Sequence, residues 1–242
     1  MGTIVSIGGG SIRELETFVI DKYIVSLTNK ECPRALFIPT ASGDAQTYID
    51  VFNNVYREKL RCITDTLLLT NSNLSEEEIK NKILSSDIIY VGGGDTSKML
   101  NIWHKCKVDM YLKMAHEKGI ILAGLSAGSI CWFKYGYSDS GNNDGSSKYQ
   151  CIEALGLINA IHCPHYNEEG RDGFDAMVGK IKETGIALEN NCSIVFKDDT
   201  FKVIKSSPKA NAYKLFYSND TVQKHILTND GFINITELQD CK

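Results

Sequence analysis

Short apolar runs alternate with longer amphipathic stretches over the first two thirds of the chain. "TIVSI" (3–7), "ALFIP" (35–39), "TDTLLLT" (64–70), "DIIYV" (87–91) and "IILAG" (120–124) read as strands. Most are continuously apolar, the pattern of strands covered on both faces. Between them, "IRELETFVIDKYIVSL" (12–27), "AQTYIDVFNNVYREKL" (45–60) and "DMYLKMAHEKG" (109–119) read as helices. A further helix start is marked by Ser75 with Glu78 three places on, the form of a capping box. After about residue 186 the pattern changes to closely spaced β-like segments, "SIVF", "TFKVI", "AYKLFY" and "FINIT", which predict antiparallel strands and hairpins. The expected class is α/β: a mostly parallel sheet flanked by helices, with antiparallel C-terminal strands, in one domain over residues 1–242. "YSDSGNNDGSSKYQ" (137–150) is expected to be a surface loop.

Composition narrows the partners. A chain of 242 residues with 43% hydrophobic content can bury a continuous core. Its net charge of −4 offers no broad basic surface for nucleic acid or anionic lipid. Small molecules or short peptides are the expected partners, with no nucleic acid and no membrane, and a homodimer is left open. No apolar run approaches the ~20 residues that cross a bilayer. The N-terminal "MGTIVSIGGGSIRE" lacks the form of a secretory signal, so a cytoplasmic location is expected. The eight cysteines are scattered without a C-x-x-C pair, which suits free thiols in a reducing compartment.

The chemistry concentrates around "ILAGLSAGSICWF" (121–133). Gly124, Ser126 and Gly128 satisfy G-x-S-x-G, led in by a strand and followed by a stretch that reads as a helix, the setting of a nucleophile elbow. A tight turn also selects small residues, so Ser126 is either an attacking nucleophile or a packing residue. A second cluster, "VGGGDTSKML" (91–100), follows another buried strand. Gly93 or Gly94 could there join the Ala127 N–H in an oxyanion hole. G-x-x-x-x-G-K-[ST] is absent, and G-x-G-x-x-G fails at both glycine clusters for want of its last glycine.

A serine hydroxyl needs a base, and of the five histidines only His162 and His165, in "NAIHCPHYNEEGR" (159–171), end an apolar approach. Pro164 stiffens the turn that presents His165, whereas His162 is expected to pack beneath. A metal reading of H-C-x-H lacks a second ligand cluster. The imidazole in turn needs an acceptor on its second nitrogen. Glu189, ending an apolar run in "GIALENN", is preferred over Asp139 in the polar loop, because a rigid support holds geometry better.

Taken in order, "VGGGDT", "GLSAGS", "CPHY" and "GIALEN" resemble the motifs of the serine peptidases of family S51, typified by aspartyl dipeptidase, over about residues 33 to 205. The resemblance implies a fold like that of class I glutamine amidotransferases and a Ser-His-Glu triad falling on Ser126, His165 and Glu189. Another view of the family places the third member at an aspartate downstream of the nucleophile, here Asp139. It also implies a cytosolic enzyme with no metal or organic cofactor. Recognition of an N-terminal Asp requires a cation, and Arg171 is the loose match to a family arginine beyond the histidine. The rival readings are a cyanophycinase-like hydrolase of β-linked Asp-Arg peptides and a non-catalytic binding member of the fold.

Overall fold

The computed structural model describes residues 2–140 and 149–239, and two β-sheets carry the fold. With strands labelled in chain order, the larger sheet runs β14 (Ile233–Asn234), β11 (Thr200–Lys205), β10 (Cys192–Lys197), β1 (Thr3–Ile7), β5 (Ile121–Leu125), β4 (Ile88–Val91), β2 (Arg34–Ile38), β3 (Ile63–Thr66). β1 to β5 are parallel, and β10, β11 and β14 extend the sheet antiparallel from β1. The smaller sheet runs β13 (Thr221–Leu227), β12 (Ala212–Ser218), β9 (Gly185–Leu188), β8 (Ile158–Cys163), β6 (Phe133–Ser138), β7 (Gln150–Glu153). Its centre, β6-β8-β9, is parallel and its edges are antiparallel.

Strand periodicity assigns the layers. Successive side chains of a strand leave on opposite faces. Val5 and Ile7 therefore pack with Ile20 and Ile24 of α1 (Phe18–Ser26) and Phe52 of α2 (Gln46–Asn53), which continues as a π-helical turn through Asn54–Lys59. Ile4 and Leu122 face the other way. They join α3 (Glu76–Leu84), α4 (Thr96–Lys105), α5 (Val108–Glu117) and the inner side chains Phe133, Ile158, Ile186 and Leu188 of the smaller sheet in one core. The two sheets thus share a hydrophobic interior. The outer face of the smaller sheet is closed by Phe174 and Val178 of α7 (Gly173–Ile181) against Ile161, Ala187 and Leu215. The described residues also include two short α-helices, α6 (Ala127–Ile130) and α8 (Thr236–Gln239).

The α/β class and the antiparallel C-terminal strands agree with the sequence reading, and the capping box at Ser75 and Glu78 is formed in both directions. Several elements differ. Only Phe18–Ser26 of the stretch 12–27 is α-helical; turns precede it, with Leu15 at φ 60°. β3 ends at Thr66: the Leu67 N–H still donates to Phe37 O of β2 at 2.9 Å, but the Leu69 and Thr70 N–H groups turn to the Asp44 carboxylate at 2.7 and 2.6 Å. α6 ends after four residues, and the alternating aromatics Phe133, Tyr135 and Tyr137 then form a strand rather than more helix. Of the polar segment 137–150, residues 141–148 lie outside the described residues. Among those described, the seven cysteines are free, and no helix is long and apolar enough to cross a membrane.

Candidate active site

The carboxyl ends of β1, β4 and β5 lie side by side, and open α/β sheets bind ligands outside such ends. Ser126 stands immediately after β5 and before α6, at φ 57° and ψ −114°. That backbone is costly for a residue with a Cβ, ~1–3 kcal/mol, and persists only where the surroundings impose it. Here they do. A Cβ on Gly124 would collide with the Gly128 carbonyl, and one on Gly128 with the Val91 carbonyl of β4, so the two glycines let three backbones meet around the turn. The Ser126 N–H donates to Ile7 O of β1 at 3.1 Å, and the Ser126 carbonyl accepts the N–H groups of Ser129 and Ile130. Its side chain is half-buried rather than entombed.

Gly93 adjoins the serine: a Cβ there would lie 3.3 Å from that of Ser126. The Gly93 N–H donates to the Tyr48 hydroxyl at 3.3 Å, and burial pushes that phenol up to about 12, so it stays protonated. Gly94 takes φ 140°, tucked against the Ala41 carbonyl. Ala127 opens α6, and its N–H is among those a helix cannot satisfy internally.

His165 comes from the other sheet, just past β8, yet its backbone is tied to the same strand end as the serine. The His165 N–H donates to Gly8 O at 2.9 Å, one residue beyond the carbonyl that holds Ser126. Gly9 makes the approach possible, because a Cβ there would run into the imidazole and Asn190 Oδ1. The ring's Nδ1 lies 2.7 Å from Asn190 Oδ1 and 3.1 Å from Glu168 Oε1. The Asn190 amide is oriented by its own donation from Nδ2 to Glu168 Oε1 at 2.9 Å. Two acceptors therefore face Nδ1, which must carry the proton and leave Nε2 with its lone pair.

Glu189 is placed differently from the expectation. Its carboxylate accepts the Asn211 N–H at 2.7 Å and the Tyr213 hydroxyl at 2.9 Å; among the described residues none of its hydrogen bonds goes to His165. The cause is strand parity. Ala187 pairs with Tyr213, and Glu189, two residues on, shares that face, while the next side chain, Asn190, turns to the histidine. Asp139 is exposed and directly follows β6, just before residues 141–148. Neither Glu168 nor Asn190 stood out in the sequence; the only signal was an acid three residues after the histidine in a turn. That turn is closed by Glu168 N–H donating to His165 O at 2.8 Å, which brings the carboxylate back onto the ring.

His162 lies beneath the elbow, fully buried and stacked on Phe133 at 4.3 Å. Ser129 Oγ lies 2.8 Å from both its Nε2 and the Ser126 carbonyl, and its Nδ1 faces Ile186 O at 2.9 Å. Burial lowers its pKa to about 3, so it is neutral. Burial likewise pushes the Cys131 and Cys163 thiols well up, which leaves neither as a thiolate nucleophile. Among the described residues no group of three or more His, Cys, Asp or Glu side chains is arranged to hold a metal.

Arg171 is turned inward. It is 8% exposed, its guanidinium sits 4.4 Å from the Tyr149 ring centre, and its Nε has no hydrogen-bond partner among the described residues. Beside His165 opens a cavity of about 680 Å³ lined by Tyr166, Glu168, Glu169, Asp172, Asp175 and Lys224, an acid-rich wall with one cation.

The chain resembles known proteins in sequence and in fold. Residues 4–204 match the family model of peptidase family S51. The chain is 32% identical over 227 residues to the uncharacterized peptidase YgaJ of Bacillus subtilis, covering 92% of this chain and 95% of the relative. It is 28% identical over 156 residues to the uncharacterized peptidase PM1590 of Pasteurella multocida, covering 61% and 72%. In fold it resembles a peptidase from an acI-B1 Actinobacterium, with TM-score 0.70 and 20% identity over 97% of each chain. It also resembles a putative peptidase E protein from Listeria monocytogenes, with TM-score 0.64 and 18% identity over 86% of this chain and 100% of the other.

Proposed function

Because the chain belongs to peptidase family S51, and so is a hydrolase of the peptidase class, we propose that it cleaves short peptides by serine catalysis, with dipeptides bearing an N-terminal Asp as preferred substrates. The observation that carries this reading is the strained Ser126 turn beside Gly93, tied to the same strand end as a histidine whose Nδ1 faces two acceptors, which leaves the lone pair on Nε2.

In the proposed cycle His165 Nε2 takes the Ser126 hydroxyl proton as Oγ attacks the scissile carbonyl. The tetrahedral oxyanion is received by the Ala127 N–H and by the Gly93–Gly94 turn, where the Gly93 N–H exchanges the Tyr48 hydroxyl for the oxyanion, each good donor contributing ~3–4 kcal/mol. The intermediate collapses to an acyl-serine, His165 protonates the departing amine, and water then attacks the ester with His165 again as base. Support for Asp recognition comes from Arg171, a buried cation whose Nε–H has no partner among the described residues and which a substrate carboxylate could pair. One observation favours the β-linked Asp-Arg alternative: the acidic wall beside His165 suits a cationic side chain.

The test is direct. A serine-directed aryl phosphonate should label Ser126, and Ser126→Ala should abolish both labelling and hydrolysis with an unchanged melting curve. Turnover in that variant at the wild-type rate ends the serine reading. A panel of Asp-X, Ala-X and β-Asp-Arg dipeptides identifies the substrate class. Arg171→Ala should lose Asp-X activity selectively, and a wild type with no preference for Asp-X refutes that specificity.

A further inference from the structure

We propose that Glu168, together with Asn190, is the positioning pair that fixes the His165 imidazole and stabilises its charged form, in the place expected for Glu189 or Asp139. The inference rests on the serine-peptidase reading of the site and names the part of it that the sequence left open.

Three contacts close a triangle. His165 Nδ1 reaches Asn190 Oδ1 at 2.7 Å and Glu168 Oε1 at 3.1 Å, and Asn190 Nδ2 bonds the same Glu168 oxygen at 2.9 Å. Each member is anchored by backbone. The Glu168 N–H closes the turn onto His165 O, and the Asn190 N–H donates to Asn167 Oδ1 at 2.8 Å. Gly9 backs the triangle closely, since a Cβ there would meet both Asn190 Oδ1 and the imidazole. The ring is thus held in the Nδ1–H tautomer by a neutral amide at short distance and a carboxylate slightly further off.

The division of labour follows from the chemistry of the two acceptors. The amide oxygen accepts the Nδ1–H hydrogen bond without carrying charge, so it sets orientation. The carboxylate supplies the negative charge that stabilises the imidazolium formed when Ser126 gives up its proton. Burial alone would raise the Glu168 pKa. The Asn190 hydrogen bond and the charges of His165 and Arg171 outweigh it and hold the carboxyl below its ordinary range, so it is ionised wherever the enzyme would work. Glu189 has the opposite character: both its oxygens are engaged by β12-side donors, which makes it a strut between the loop and the smaller sheet.

The experiment measures the rate of Ser126 labelling by an aryl phosphonate against pH in wild type, Glu168→Gln, Asn190→Ala, Glu189→Gln and Asp139→Asn. The Glu168 side chain is 48% exposed, so the Gln variant should melt as wild type does. Expected are an acidic limb of the profile displaced to lower pH and labelling at least ~10-fold slower in Glu168→Gln, the smaller part of what a positioned base contributes. Asn190→Ala should slow labelling while leaving the limb nearly in place, because the charge remains. Glu189→Gln and Asp139→Asn should leave the limb where wild type has it. If wild type is labelled and Glu168→Gln matches it in rate and profile, or if the limb moves in Glu189→Gln or Asp139→Asn instead, the assignment is overturned and the serine reading stands. If wild type is not labelled at Ser126, the serine reading itself falls.

Discussion

Replacing Ser126 by glycine should make the protein more stable while destroying its chemistry. At φ 57° and ψ −114° the serine occupies backbone space suited to a residue without a Cβ, at a cost of ~1–3 kcal/mol. Glycine removes that cost but gives the unfolded chain more freedom, a loss of ~0.4–1 kcal/mol. The expected net gain is about 1 kcal/mol, or ~2–4 °C in melting temperature for a chain of this size. Ser126→Ala is the control, since alanine keeps the Cβ and therefore the strain. Both variants should fail to react with the phosphonate, and only the glycine variant should melt later, by calorimetry or by urea midpoint. Equal melting of the two would mean that the turn stores no strain and that the fold does not force this serine into place.

Gly9→Ala should cut kcat/KM by ~10², the effect of a misplaced catalytic group, because the new methyl collides with the His165 ring and Asn190; steady-state kinetics at an unchanged melting temperature checks it. His162 is neutral in the native state, its pKa lowered by burial from the ordinary 6.5 to about 3, so between those values the unfolded chain binds a proton that the native one does not. Stability should accordingly fall as pH drops through that window, and urea midpoints at pH 6 and 4 should differ less in His162→Gln than in wild type. Asp21 has the opposite sign. Buried against Thr17 and Tyr56, its pKa is raised from 3.8 to about 7, so its contribution is complete below 3.8 and is lost as pH rises through 7. Asp21→Asn should therefore gain on wild type between pH 5 and pH 8 in the same assay.

The parallel core, the capping box and the serine turn were legible because each rests on local pattern: continuous apolar runs, an S-x-x-E spacing, and small residues where backbones crowd. The paired glycines at 124 and 128 each make room for a neighbouring carbonyl, so the motif itself stated its geometry. His165 was legible from Pro164 and the apolar approach of β8. What could not be read was parity. Whether residue 189 or 190 faces the histidine depends on the register of β9 against β12, a non-local pairing that no window of sequence contains. The second sheet was hidden for a similar reason. β6 follows the serine turn so closely that its aromatics read as the helix expected there, and half-exposed β13 lacks an apolar run.

Ile7 and Gly8 present successive carbonyls, and these two oxygens grip the main chains on which the hydroxyl and the imidazole are mounted. A single peptide unit at the end of β1 therefore serves as the gauge between them, although one arrives from each sheet. Drawing the smaller sheet away from the larger by even a fraction of that unit unhitches the base and leaves the serine in place. Loss of turnover should consequently precede loss of circular dichroism on mild denaturation, which makes hydrolysis a sensitive reporter of how well the two halves of the molecule are seated.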